Sequence, residues 1–219
     1  LASDLVETVI ALPEPRYNPI GAEPGSISRV DVPWPATVPD GGRHGFLASD
    51  TVAFEAAVAD AAAVVGASID PARAVVVLGH EELMYLPQRL AAALQENGHP
   101  ALYQTTTRSP AYVLDEPGYP LRRGFRFRAP EADDTEFRYL YNAAGPENAL
   151  IVLVVDEPAA TDRLVADGGA AHTIAASGSD VLIVVVSGAD PRALATSRRA
   201  QPLTGPEFGS YAPHEVTWL

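Results

Sequence analysis

The residues best suited to chemistry fall in three short polar segments, each placed where an apolar run ends. "GHEE" puts His80, Glu81 and Glu82 after the apolar residues 74–79. "TTTRSP" puts Thr105, Thr106, Thr107, Arg108, Ser109 and Pro110 after residues 101–104, and "DEPAAT" puts Asp156 and Glu157 after residues 149–155. In the second segment, hydroxyls, backbone amides and an arginine fork can seat a phosphate or a carboxylate. Pro110 holds Ser109 extended and fixes the loop's exit. Threonines continuing a strand, with Arg108 at the surface, account for the same composition; position at a ligand-binding edge favours the anion seat. The first segment offers two acids and an imidazole for acid–base work or for contact with a ligand's hydroxyl groups. Neighbouring side chains diverge, so no metal site is assigned to these three; charge–dipole support of the helix that follows is the competing explanation. In the third, Asp156 and Glu157 suit ribose hydroxyls or a hydrated Mg2+, against a helix N-cap followed by Pro158. A fourth segment, "RRGFRFR", gathers Arg122, Arg123, Arg126 and Arg128. Alternation there puts arginines on one face of a strand and phenylalanines on the other. Arg122 and Arg123 join Arg108 as candidates for neutralising an anion; a solvated hairpin face is the alternative.

The elements able to hold these segments follow from apolar spacing. Residues 51–67 have a helical apolar face, with Asp50 as N-cap and Gly66 closing the helix. Residues 74–79 are wholly apolar and short, as in a strand buried on both faces. Residues 83–98 predict a helix carrying Leu83, Leu86, Leu90 and Leu94 inward, with Pro87 tolerated in its first turn and Gly98 just beyond its end. Residues 101–104, 149–155 and 180–188 supply further strands. Residues 111–148 lack a helical period and predict a long hairpin around a Pro/Gly turn, with a short strand at 137–142; residues 156–169 predict a loop and a short helix. Strands alternating with helices imply an α/β fold, a mainly parallel sheet flanked by helices with a β-hairpin excursion. Ligands of such sheets bind beyond the carboxyl ends of the strands, where all three polar segments stand. Residues 1–48, broken by prolines and glycines, predict an arm with one short strand at "SISRVDV". Residues 49–188 form the α/β domain and 189–219 an irregular C-terminal tail with one turn of helix at most.

Composition removes whole classes of function. The 219 residues hold no cysteine, so thiolate chemistry, disulfides and Cys-ligated zinc are excluded. All 15 basic residues are arginine, which excludes a P-loop lysine or a Schiff base. The formal charge of −13 repels nucleic acid and anionic lipid, so neither is expected as a partner. No apolar run approaches the ~20 residues that span a bilayer. The acidic N-terminus does not read as a secretory signal, and a cytoplasmic location is expected.

Taken together, "LGHEELMYLPQRLAAALQENG", "YQTTTRSP", "GYPLRRGFRF" and "RYLYN" resemble the TRSP domain, named for the motif that stands here as Thr107, Arg108, Ser109 and Pro110. The resemblance covers roughly residues 43–190. It implies a partner, a phosphoribosyltransferase-like domain in cis or in trans, and a setting in bacterial tellurium-resistance and stress-response gene clusters that make a nucleoside-like metabolite. The order of elements is also similar to that of type I phosphoribosyltransferases. That likeness implies "GHEE" as the pyrophosphate loop, residues 111–148 as the flexible hairpin and "IVLVVDEPAAT" as the phosphoribosyl-pyrophosphate loop. That loop normally ends in Thr-Gly; here Ala159, Ala160 and Thr161 stand without the glycine. The expected ligand is a phosphorylated ribosyl or nucleotide-like metabolite, with Mg2+ as the associated ion. The alternative is a non-catalytic docking or regulatory module for the transferase domain.

Overall fold

The computed structural model of the chain describes residues 14–132, 135–143 and 148–200. Five strands form one parallel sheet: β1 (Ile27–Val32), β2 (Val75–Gly79), β3 (Ala101–Thr105), β6 (Leu150–Asp156) and β7 (Val181–Val186). Their order is β1-β7-β6-β2-β3. A separate antiparallel pair, β4 (Gly124–Arg128) and β5 (Phe137–Tyr141), makes a two-stranded sheet. The helices are α1 (Thr51–Gly66), α2 (Tyr85–Glu96), α3 (Ala170–Ala176) and α4 (Pro191–Ala200).

β2, β6 and β7 are buried along their whole length, which is why they are apolar without alternation. Their side chains still alternate between two cores. Val75, Val77, Val152, Val154, Leu182 and Val184 meet α1 and α2 through Phe54, Val58, Leu86, Leu90 and Leu94. On the other face, Val76, Leu78, Ile151, Leu153 and Ile183 meet Phe125, Phe127, Leu140 and Ile174. Helices therefore cover one face, while the second is covered by short α3 together with the hairpin.

Several expectations change at this level. The hairpin pairs β4 with β5 around residues 129–136, not around the Pro/Gly turn at 117–120. It does not project away from the domain as a flexible loop. Phe125, Phe127 and Leu140 are buried in the core, and each such side chain contributes roughly 1.5–3 kcal/mol of burial. "SISRVDV" does form a strand, but β1 extends the central sheet by parallel pairing with β7, so the arm supplies part of the domain. Asp50 occupies the N-cap position of α1 without capping it. Its carboxylate instead accepts the Leu47 N–H (2.8 Å) and pairs with Arg198 (2.6 Å). Arg198 belongs to α4, a ten-residue helix where an irregular tail was expected; Leu194 anchors it in the core. Residues 1–13 of the arm and 201–219 of the tail lie outside the described residues. The stretch after β6 forms two 3-10 turns, Glu157–Ala159 and Asp162–Leu164, and the helix α3 comes later, in a small-residue segment that gave no periodic signal.

Candidate functional site

β2 leads to β3 on one side of the sheet, and β6 leads to β7 on the other. The adjacent pair β2 and β6 is therefore the point where strand order reverses, and a crevice opens beyond their carboxyl ends. His80 follows β2 directly and Asp156 is the last residue of β6. Gly79 makes the turn possible: a Cβ there would stand 2.5 Å from the Leu83 carbonyl oxygen and 3.2 Å from the Pro87 ring. The cavity at this crevice holds about 270 Å3 and is lined by His80, Glu81, Glu82, Arg108 and Asp156, together with Arg43, Glu131, Glu136 and Arg138.

The loops are locked together by hydrogen bonds. The Glu81 N–H donates to Thr106 Oγ1 (3.0 Å), which frees the threonine hydroxyl hydrogen for His80 Nδ1 (3.3 Å). Nε2–H of His80 then donates to Glu131 Oε2 (3.1 Å). Both ring nitrogens of the buried His80 have a partner in this arrangement. Glu81 sits at φ 53°, in the left-handed region that a glutamate rarely adopts. That conformation delivers its carboxylate to two arginines. Arg108 Nε donates to Glu81 Oε2 (3.0 Å), and Arg138 Nε contacts Glu81 Oε1. Arg138 also reaches Glu131 (3.2 Å) and Glu136 (3.1 Å). Burial lowers the Arg138 pKa from its usual value, which makes its acidic shell a necessity.

Arg43 arrives from the N-terminal arm. Asp40 accepts the Gly42 N–H (2.8 Å) and the Arg43 N–H (3.3 Å), forming the turn that aims it. Its guanidinium pairs bidentately with Asp156, and that hydrogen bond raises the arginine pKa. Asp156 Oδ1 also accepts the Ala159 N–H (3.2 Å) and caps the 3-10 turn, the N-cap role expected of it. Burial pushes the Glu131 carboxyl up, but His80 and Arg43 outweigh it and hold the group below the usual range.

Not every expected residue faces the cavity. The hydroxyls of "TTTRSP" turn to structural partners: Thr105 Oγ1 donates to the Gly79 carbonyl, Thr106 is bonded to His80, and Thr107 Oγ1 accepts the Ser109 N–H. Glu157 is exposed beside the edge and does not line the cavity. Arg122 and Arg123 line a different cleft, so they do not join Arg108. Four residues that spacing did not single out complete the site: Arg43, Glu131, Glu136 and Arg138. Arg138 carried one legible sign, a lone charge flanked by four aromatic or apolar residues in "FRYLY". His80, Glu81 and Glu131 place ligand atoms within 4.8 Å of one another, as a metal ion requires. Arg138 bonds both glutamates, so a guanidinium already supplies the cation at that point.

The cavity thus carries three arginines against five carboxylates, which sum to a charge of −2. Among the described residues no helix is long and apolar enough to cross a membrane. No curated protein and no solved structure gives a significant match to the chain. The family model described as "TRSP domain C terminus to PRTase_2" matches residues 40–172, a stretch that takes in every residue lining the cavity. More than half of the chain is covered, and the chain belongs to the TRSP domain family, whose members stand C-terminal to a PRTase_2 domain.

Proposed function

We propose that this TRSP domain binds a ribosyl phosphate, or a nucleotide-like metabolite carrying one, as the companion of a phosphoribosyltransferase domain in a bacterial stress-response pathway of the tellurium-resistance kind. The observation that carries this is the meeting of the His80, Arg108 and Asp156 loops in one crevice at the switch point of the sheet. Backbone strain at Glu81 supports it, since strain of this sort concentrates where ligands bind. About 270 Å3 is at the small end of ligand cavities, a size for a pentose phosphate and not for a dinucleotide. Glu82 and Asp156 accept hydrogen bonds from sugar hydroxyls. Arg43 and Arg108, with side chains 45% and 62% exposed, can exchange a carboxylate for a phosphate oxygen. A phosphate dianion entering a site of net charge −2 needs a counter-charge, so Mg2+ enters with the ligand.

One observation favours the alternative of a docking or regulatory module: each arginine of the cavity already has an acidic partner, so the network stands without a ligand. Calorimetry with ribose 5-phosphate and phosphoribosyl pyrophosphate, with and without Mg2+, separates the two. The ligand reading expects Mg2+-dependent binding that Arg108→Ala weakens. Absence of any binding, with tight association to a PRTase_2 domain, establishes the docking role instead.

A further inference from the structure

A second cleft lies at the other end of the sheet, beside the amino ends of β6 and β7, and holds about 700 Å3. Its floor is core: Phe125, Ile151 and Ile174. Residues 15–20 cross it as a strap. Asn18, at φ 59°, donates its backbone N–H to the Gly124 carbonyl (2.9 Å), donates its side-chain amide to the Arg126 carbonyl (2.9 Å) and accepts the Arg126 N–H (2.7 Å). The Gly21 N–H ties the strap to the end of α3 at the Ala176 carbonyl (2.9 Å).

The charge of this cleft is opposite to that of the carboxyl-edge cavity. Arg16, Arg122 and Arg123 line it against a single acid, Asp115, for a net charge of +2 in a chain of −13. Asp115 is held by Arg122 (2.9 Å). No hydrogen bond or ion pair engages the guanidinium of Arg16 or Arg123 among the described residues. Two unengaged arginines over an apolar floor, with the Ser177 and Ser179 hydroxyls at the rim, form a site with two kinds of surface. The forks take an anionic group in bidentate geometry; the floor residues are 4% exposed or less, so the apolar contact comes from exposed Ile20 and half-buried Tyr17. The volume is that of a small-molecule site.

We propose that this cleft is a second ligand site, for an organic phosphate of nucleotide size, with Arg16 and Arg123 on the phosphate and Tyr17 and Ile20 beside the base. It is separate from the ribosyl phosphate site and does not depend on it.

The test is calorimetric titration of the full chain with AMP, adenosine and inorganic phosphate in the absence of Mg2+, which the carboxyl-edge site requires. AMP is expected to bind, with adenosine and phosphate each weaker by roughly ten-fold or more, because each offers one of the two contacts. Arg16→Ala and Arg123→Ala each weaken AMP by roughly ten-fold, the worth of a charge-assisted hydrogen bond. Both variants retain the wild-type Tm, since neither guanidinium has a partner among the described residues. Arg108→Ala leaves AMP affinity unchanged. The proposal is overturned if AMP does not bind at millimolar concentration or if Arg123→Ala binds like the wild type. It is also overturned if Arg108→Ala abolishes AMP binding, which places the nucleotide in the carboxyl-edge cavity.

Discussion

Arg138 and Arg108 share one carboxylate, that of Glu81, and differ in burial, which fixes what each contributes. Arg138 is 4% exposed and pairs with three glutamates; its removal leaves Glu81 to Arg108 and Glu131 to His80, and takes from Glu136 the arginine it pairs with. Breaking a buried pair in this way costs about 3–5 kcal/mol. Arg138→Ala is therefore expected to lower Tm by roughly 10 °C in thermal denaturation. Arg108→Ala, losing a pair at an exposed side chain, is expected to cost no more than about 1 kcal/mol. Equal losses for the two variants would show that the buried network is not what holds the rim together. The residues of this rim that sequence reveals are those next to strand ends, His80, Arg108 and Asp156, because a strand's end fixes where its next residues go. Arg43 and Glu131 are silent in sequence: Arg43 pairs with a residue 113 positions away, and Glu131 with one 51 positions away. Only the fold creates those contacts. The "TTTRSP" hydroxyls mislead for a related reason. They are consumed by the Gly79 carbonyl, His80 and the local turn, and the motif contributes Arg108 alone to the cavity wall.

Among the elements, apolar runs wholly buried on both faces were legible as strands, since nothing else in a chain of this size needs such residues in so short a span. The hairpin was not. Phe137, Tyr139 and Tyr141 look like the inward set of β5, yet Arg138 and Leu140 are the buried ones. The aromatic set is partly exposed, with Tyr139 and Tyr141 stacked 6.3 Å apart. Because the hairpin forms a wall of the core, Phe127→Ala is expected to destabilise the domain by about 3–5 kcal/mol, measured by urea denaturation. A negligible change would return the hairpin to the status of a mobile loop. At the amino edge of the sheet, Asp180 ties three strands together. It accepts from the Ser26 N–H and hydroxyl, both at 2.7 Å, before β1, and from Arg73 at 2.8 Å, before β2, while itself preceding β7. The Ser26 hydrogen bonds and Arg73 lower its carboxyl pKa to about 2. A depressed carboxyl stabilises the fold fully above its unfolded value near 4, and the contribution is lost as pH falls toward 2. Tm of the wild type should thus fall more steeply than that of Asp180→Asn between pH 4 and pH 2. Parallel curves would mean that the clamp carries no such linkage.

At the scale of the molecule, the two ends of one sheet have been given opposite chemistry. The carboxyl edge is acid-rich, compact and internally paired; the amino edge is arginine-lined, larger and partly unpaired. In a chain of −13, the amino-edge cleft is thus a local reversal of the overall charge. The most direct test of the carboxyl-edge assignment is a backbone amide map: 1H–15N spectra of the labelled chain titrated with ribose 5-phosphate in the presence of Mg2+. Saturable, Mg2+-dependent shifts are predicted at the amides of residues 80–83, 106–109, 156–157 and 159, and at Arg43. Shifts confined to the amino-edge cleft, or no saturable shift at His80, Arg108 and Asp156, would contradict the account.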